Sequence, residues 1–261
     1  MARSKADASG CVSAPKLASS CSISVEGEDR VRSQTVEADF DTLVRLIHSR
    51  HSCRAFQERA VPEATIRKIL ETAQRSASDC NVQPWKVTIV SGTALDSLRT
   101  AMYGRAASGA IGVSDIPPIG QYFGVYQERR RDCGWSLYGS LGIERGDRIS
   151  SGKQALENFR FFGAPHIALI TSHASLGMRG VFDSGGYIAL FMLTAHALGV
   201  ATIAQGSIAH RADVIREHIA LPADHFVICG IAFGWSDDGH PANSFRMKRA
   251  PISDVASFVR Q

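Results

Sequence analysis

Eight consecutive residues without a single charge, Phe-Val-Ile-Cys-Gly-Ile-Ala-Phe at positions 226–233, are closed off by Gly234. A strand with one face in water alternates apolar and polar side chains, so an unbroken run of this length predicts a strand covered on both faces. Residues 187–198 form a second apolar stretch, interrupted only at Thr194 and His196. It is shorter than the roughly 20 residues needed to cross a bilayer, so it predicts a buried central helix rather than a membrane span. A chain with both features must place at least one sheet inside layers of helix.

The remaining pattern agrees. Phe40, Leu43, Val44 and Ile47 recur at helical spacing, as do Ile66, Ile69, Leu70 and Ala73 in a helix predicted over 63–74 with Pro62 at its first position. Strands are predicted at 85–90, 166–171 and 200–203. Further helices are predicted at 94–102, at 183–198 with Asp183 as its cap, at 212–219, and at 254–259 with Ser253 as its cap. Residues 1–38 are Ser- and Ala-rich and show neither helical nor strand period, which predicts a flexible extension before a domain at 39–261. Residues 103–160 carry scattered glycines and many aromatics without a clear period. They read as an insertion of the kind that walls a substrate site. Interleaved strands and helices imply a layered mixed sheet.

Charge and cysteine content narrow the functions. With 29 Lys and Arg against 25 Asp and Glu the net charge is +4, and no basic run exceeds Arg129-Arg130-Arg131. Nucleic acid binding would call for basic and aromatic residues interleaved along one face, which the chain lacks. The six cysteines form no CxxC pair; reduced thiols in a cytoplasmic protein are the simple expectation. Phosphate-loop, dinucleotide-fingerprint, nucleophile-elbow and zinc-helix motifs are missing from the sequence, which removes the reaction classes they mark. His48 and His51, at a helix end, suit a dipole partner better than a metal ligand, and no metal is expected.

Two basic clusters remain: Arg50-His51-Ser52-Cys53-Arg54 and Arg246-Met247-Lys248-Arg249. Guanidinium forks beside a hydroxyl are the groups that grip phosphate and carbonyl oxygens. Ser49-Arg50-His51-Ser52-Cys53-Arg54-Ala55-Phe56, followed by a helix and then Ser76-Ala77-Ser78-Asp79-Cys80-Asn81-Val82-Gln83-Pro84-Trp85, resembles the opening signature of the FMN-dependent nitroreductase family. The second half continues the likeness with Asp183-Ser184-Gly185-Gly186, Leu198-Gly199-Val200-Ala201-Thr202, Gln205-Gly206, Gly230-Ile231-Ala232-Phe233-Gly234, and Asn243, Arg246 and Arg249 in order. The resemblance spans about 40–261 apart from the insertion.

It implies an α+β fold of three layers, α/β/α, with a mixed, mainly antiparallel central sheet flanked by helices, in a homodimer that binds FMN at its interface. It further implies an NAD(P)H-dependent oxidoreductase, using NADPH or NADH, that reduces nitroaromatic compounds by a ping-pong, two-electron mechanism. Quinone, enone or flavin reduction, dehalogenation and non-catalytic FMN binding are the alternatives. By resemblance, Arg50, Ser52 and Arg249 hold the FMN phosphate and its ribityl neighbourhood, with His51 also in the cofactor site and Arg246 or Lys248 as a further phosphate ligand, and Arg54 faces the pyrimidine edge of the flavin. Ser78 and Asn81 reach across from the other subunit, Gln83 also belongs to the cofactor site, and the backbone at Gln205 and Gly206 lies against flavin N5. The chemistry then belongs to the flavin, with no catalytic side chain. Phe123, Trp135 and Tyr138 in the insertion are the candidate substrate wall. Three positions depart from the family pattern: Asp79 and Cys80 replace small hydroxyl residues, Gln205 stands where Glu is common, and Met247 takes the place of a basic phosphate ligand.

Overall fold

A computed structural model describes residues 25–260; of the extension expected at 1–38, residues 1–24, with Cys11 and Cys21, lie outside them. The chain divides into two units, 1–45 and 46–261. In the first, helix α1 (Val25–Ser49) begins at a segment expected to lack regular structure. An α-helix closes its own backbone hydrogen bonds within the segment, so a missing apolar stripe does not forbid it. Of the predicted face, Phe40, Leu43 and Ile47 are exposed and Val44 is half-buried.

The second unit is built on a four-stranded sheet. Strands β1 (Trp85–Ser91), β2 (His166–His173), β3 (Ala201–Gln205) and β4 (His225–Gly234) lie in the order β1-β2-β4-β3. Every pairing among these strands is antiparallel, with one register shift between Ile170 and Thr171. The parallel character expected of a mixed sheet shrinks to one bridge, Ser52 to Thr202. In β2 and β4 both faces are buried, as the apolar runs predict, because successive side chains point into different layers. Ile167 and Leu169 join one cluster with Leu95, Leu98, Met102 and Ile215. Ala168 and Ile170 join another with Ile69, Tyr187 and Phe191.

Helices α2 (Glu63–Ala73) and α6 (Gly177–Ala197) supply the second layer; α3 (Gly92–Ala107), α7 (Gly206–Ala209) and α8 (Ala212–His218) supply the first. This is the expected three-layer arrangement. Gly92 permits β1 to run straight into α3, since its φ of +58° lies where side chains are strained.

Three predicted elements differ. Helix α6 starts at Gly177, one and a half turns before the predicted cap; Asp183 lies inside it, buried, and accepts a hydrogen bond from the Asp79 amide at 3.1 Å. No helix forms at 254–259. Only a 3-10 turn at Ile252–Asp254 is present, with Val255, Phe258 and Val259 exposed, and a helix this short is marginal in water without packing. The insertion is largely helical, with α4 (Gly124–Ser140) and α5 (Arg148–Leu156). Neither has a buried residue, so neither writes an apolar stripe into the sequence.

Candidate functional site

The segment after α1 is fixed from two sides. Cys53 donates its amide to the Thr202 carbonyl at 3.0 Å, tying the segment beside β3. Asn243, 5% exposed, accepts from the Arg54 amide at 2.6 Å and donates to the carbonyls of Ala55 and Asp237 at 2.9 and 2.8 Å. One buried amide thus joins the two basic clusters that are almost 200 positions apart in sequence.

They meet in a cavity of about 870 Å³. Arg50, His51, Ser52, Arg54, Arg246 and Arg249 line it, together with the apolar Ala189, Met192 and Leu193 of α6 and Cys133 of α4. Four guanidinium groups therefore share a wall that carries no carboxylate. Among the described residues none of the four is in an ion pair; Arg54, Arg246 and Arg249 donate instead to the carbonyls of Ser52, Asn243 and Met247. The Arg54 guanidinium lies over the Phe245 ring, 5.2 Å from its centre. Burial, reinforced for Arg50 by the nearby Arg249, pulls the pKa of Arg50 and Arg54 below the usual arginine value. The same burial, with Arg246 and Arg50 close by, lowers the His51 pKa, and its Nδ1 sits 3.2 Å from the Ser49 carbonyl. Positive charge gathered here without a partner calls for an anion.

The other expected residues are distributed differently. Ser78, Asn81 and Gln83 lie on a turn between α2 and β1 and do not line this cavity. Cys80, Asn81 and Gln83 hold φ values of +45°, +58° and +50°, and the Ser78 hydroxyl accepts from the Gln83 amide at 2.9 Å. Asn81 and Gln83 are exposed. Gln205 turns its side chain away, donating to the Asn158 carbonyl at 2.8 Å, while Gly206 opens α7 with free space on its Cβ side. Neither lines the cavity. In the insertion Trp135 lines an adjoining cavity, whereas Phe123 precedes α4 in an exposed position and Tyr138 packs edge-on against Trp135 at 5.8 Å.

Cys133, Phe245 and the α6 residues Ala189, Met192 and Leu193 were not singled out from sequence. For α6 a signal exists in the 189, 192, 193 spacing, which puts the three on one face. Cys133 and Phe245 carry none.

Residues 47–235 match the family model described as the nitroreductase family. Nitroreductase NfnB of Mycolicibacterium smegmatis is 36% identical over 216 residues, covering 83% of this chain and 92% of that protein. A 4-nitrobenzoate reductase of Nocardioides sp. is 31% identical, covering 84% and 90%. The crystal structure of the FMN-dependent nitroreductase NfnB from Mycobacterium smegmatis in complex with NADPH superposes with a TM-score of 0.79 at 35% identity, covering 84% of this chain and 99% of that one.

Proposed function

Because this chain belongs to the nitroreductase family, we propose that its arginine-walled cavity receives the phosphate end of FMN and that the protein is an NADPH-dependent oxidoreductase acting on nitroaromatic compounds. The observation that carries this reading is the shared wall of Arg50, Arg54, Arg246 and Arg249 without a carboxylate. A phosphate dianion neutralises it, and roughly 300–1,000 Å³ is the usual size of a small-molecule site. When bound, the flavin supplies the two-electron chemistry that links a reduced nicotinamide to an acceptor.

The chain's own part is binding and electrostatics. Arg50, Ser52 and Arg249 hold the phosphate, with His51 kept neutral beside them. Arg54 is anchored by Asn243 through its backbone and by Phe245 through its guanidinium, so it offers a fixed positive charge for the electron-rich edge of a reduced ring without reorganising. Donor and acceptor enter in turn, in ping-pong fashion, beside α4, whose Trp135 lines the adjoining cavity. No side chain is assigned as acid, base or nucleophile.

A homodimer completes this reading. Asn81 and Gln83 are exposed and Ser78 half-buried on a turn that does not line their own chain's arginine cavity, and the three serve the site of the partner subunit. Among the described residues Cys53, Cys80, Cys133 and Cys229 are free thiols, which suits a reducing cytoplasm. No helix among the described residues is long and apolar enough to cross a membrane.

The test is anaerobic spectroscopy of the purified protein. It should carry FMN, lose the visible flavin band on addition of NADPH, and regain it with 4-nitrobenzoate or nitrobenzene. A flavin-loaded protein that NADPH never bleaches would overturn the assignment.

A further inference from the structure

A second cavity, of about 1,080 Å³, lies between α4 and the segment that follows β4. It adjoins the first, sharing Cys133, Arg246, Met247 and Arg249 with it. Its own cations are Arg129, Arg145 and Lys248, so five positive side chains stand against one carboxylate, Asp132. Among the described residues none of the five is in an ion pair, and Asp132 therefore leaves most of the charge unanswered. Arg145 is held in place: its guanidinium lies over the Trp135 ring, 5.2 Å from the centre, which orients the charge and reduces the entropy lost on binding.

A site with this excess selects for anionic charge beyond the flavin phosphate. Its volume exceeds what a single carboxylated ring fills and suits a nucleotide. We propose that this cavity is the subsite for the adenosine end of the dinucleotide, and that Arg145 and Lys248 recognise the ribose 2′-phosphate and make the protein prefer NADPH to NADH. The inference rests on the reductase reading above. A 2′-hydroxyl offers no charge to these groups, whereas a 2′-phosphate satisfies a preoriented guanidinium and an ammonium at once.

Two measurements test it. In steady state with one acceptor, Arg145→Ala and Lys248→Ala should each lower kcat/KM for NADPH about ten-fold while leaving NADH within about two-fold, and Arg145→Lys should recover part of the loss. In calorimetry on the flavin-loaded protein, adenosine 2′,5′-bisphosphate should bind more tightly than 5′-AMP, by a margin that shrinks in both alanine variants and with added salt. Equal losses for NADPH and NADH, or wild-type protein that does not distinguish the two adenosine probes, would remove the subsite while leaving the reductase intact. Variants that instead change the ratio of 4-nitrobenzoate to nitrobenzene turnover, with the NADPH to NADH ratio unmoved, would assign the cations to the acceptor and overturn the proposal. Selective binding of the bisphosphate by a protein that turns over neither nucleotide would support the subsite and break the reductase reading.

Discussion

Among the described residues neither a carboxylate nor a carbonyl accepts from the Arg50 guanidinium, in contrast to the other three arginines on the cavity wall, whose donors are partly spent on backbone oxygens. Its removal should therefore weaken the cofactor grip while sparing the fold. Arg50→Ala is expected to lose about 1.5–3 kcal/mol of FMN binding, the worth of a charge-assisted contact, and to purify with clearly less flavin at an unchanged unfolding midpoint without cofactor. His166 behaves in the opposite way, shaping stability and not binding. It is 5% exposed, stacks on Phe233 at 5.0 Å, and accepts the Val61 amide on Nε2 at 2.9 Å. Burial lowers its pKa below the ordinary histidine value. The unfolded chain thus binds this proton more readily than the folded one, and stability must fall as pH drops through about 6.5 toward the depressed folded value. Thermal unfolding between pH 7 and 5 should show that decline, with a shallower slope in His166→Gln. His51 pulls in the same direction, so only part of the slope should vanish. An unchanged slope would show that the ring is not held neutral.

At the scale of elements, α6 is the piece on which both the core and the cavity depend, and its approach to the sheet is set by one glycine. A Cβ added at Gly180 would stand 2.5 Å from Ser172 Oγ on β2 and 3.0 Å from the Leu176 Cβ. Gly180→Ala should therefore push the helix outward and cost about 1–3 kcal/mol, despite the better helix propensity of alanine, and the displaced α6 should also loosen FMN through Met192 and Leu193. Denaturant unfolding checks the first effect and flavin titration the second. Strands β2 and β4 and the apolar half of α6 were legible in the sequence because burial on both faces leaves an uninterrupted apolar run. The start of α6 was not, because Asp183 has the composition of a cap while its carboxylate is used across space, on the Asp79 amide. The insertion was illegible for a related reason. Helices α4 and α5 bury no residue within the chain, so neither carries an apolar period for composition to reveal. The arginines of the site were readable as two local clusters, but only the family resemblance brought them together, since the link is made by Asn243, whose side-chain hydrogen bonds leave no trace in spacing.

For the whole molecule, what a single chain leaves open is informative. Val36, Phe40 and Leu43 expose an apolar row on α1, and Ile252, Val255, Phe258 and Val259 are likewise exposed near the C-terminus. The turn bearing Ser78, Asn81 and Gln83 is held in a strained backbone, yet it lies outside the cavity of its own chain. Both facts have one explanation if two chains associate and each turn completes the cavity of the other subunit. A symmetric dimer then has two sites, each with its arginines from one chain and its turn from the other. Complementation separates this arrangement from a dimer with self-contained sites. Arg50→Ala and Asn81→Ala, purified alone, should each be weak in flavin content and turnover. When they are unfolded together in equal amounts and refolded, about half the dimers carry one copy of each variant, and each of those has one site with both residues intact. Activity should recover to about a quarter of wild type. A mixture whose activity merely equals the average of its parents would mean that Arg50 and Asn81 serve the same chain, or that Asn81 serves none.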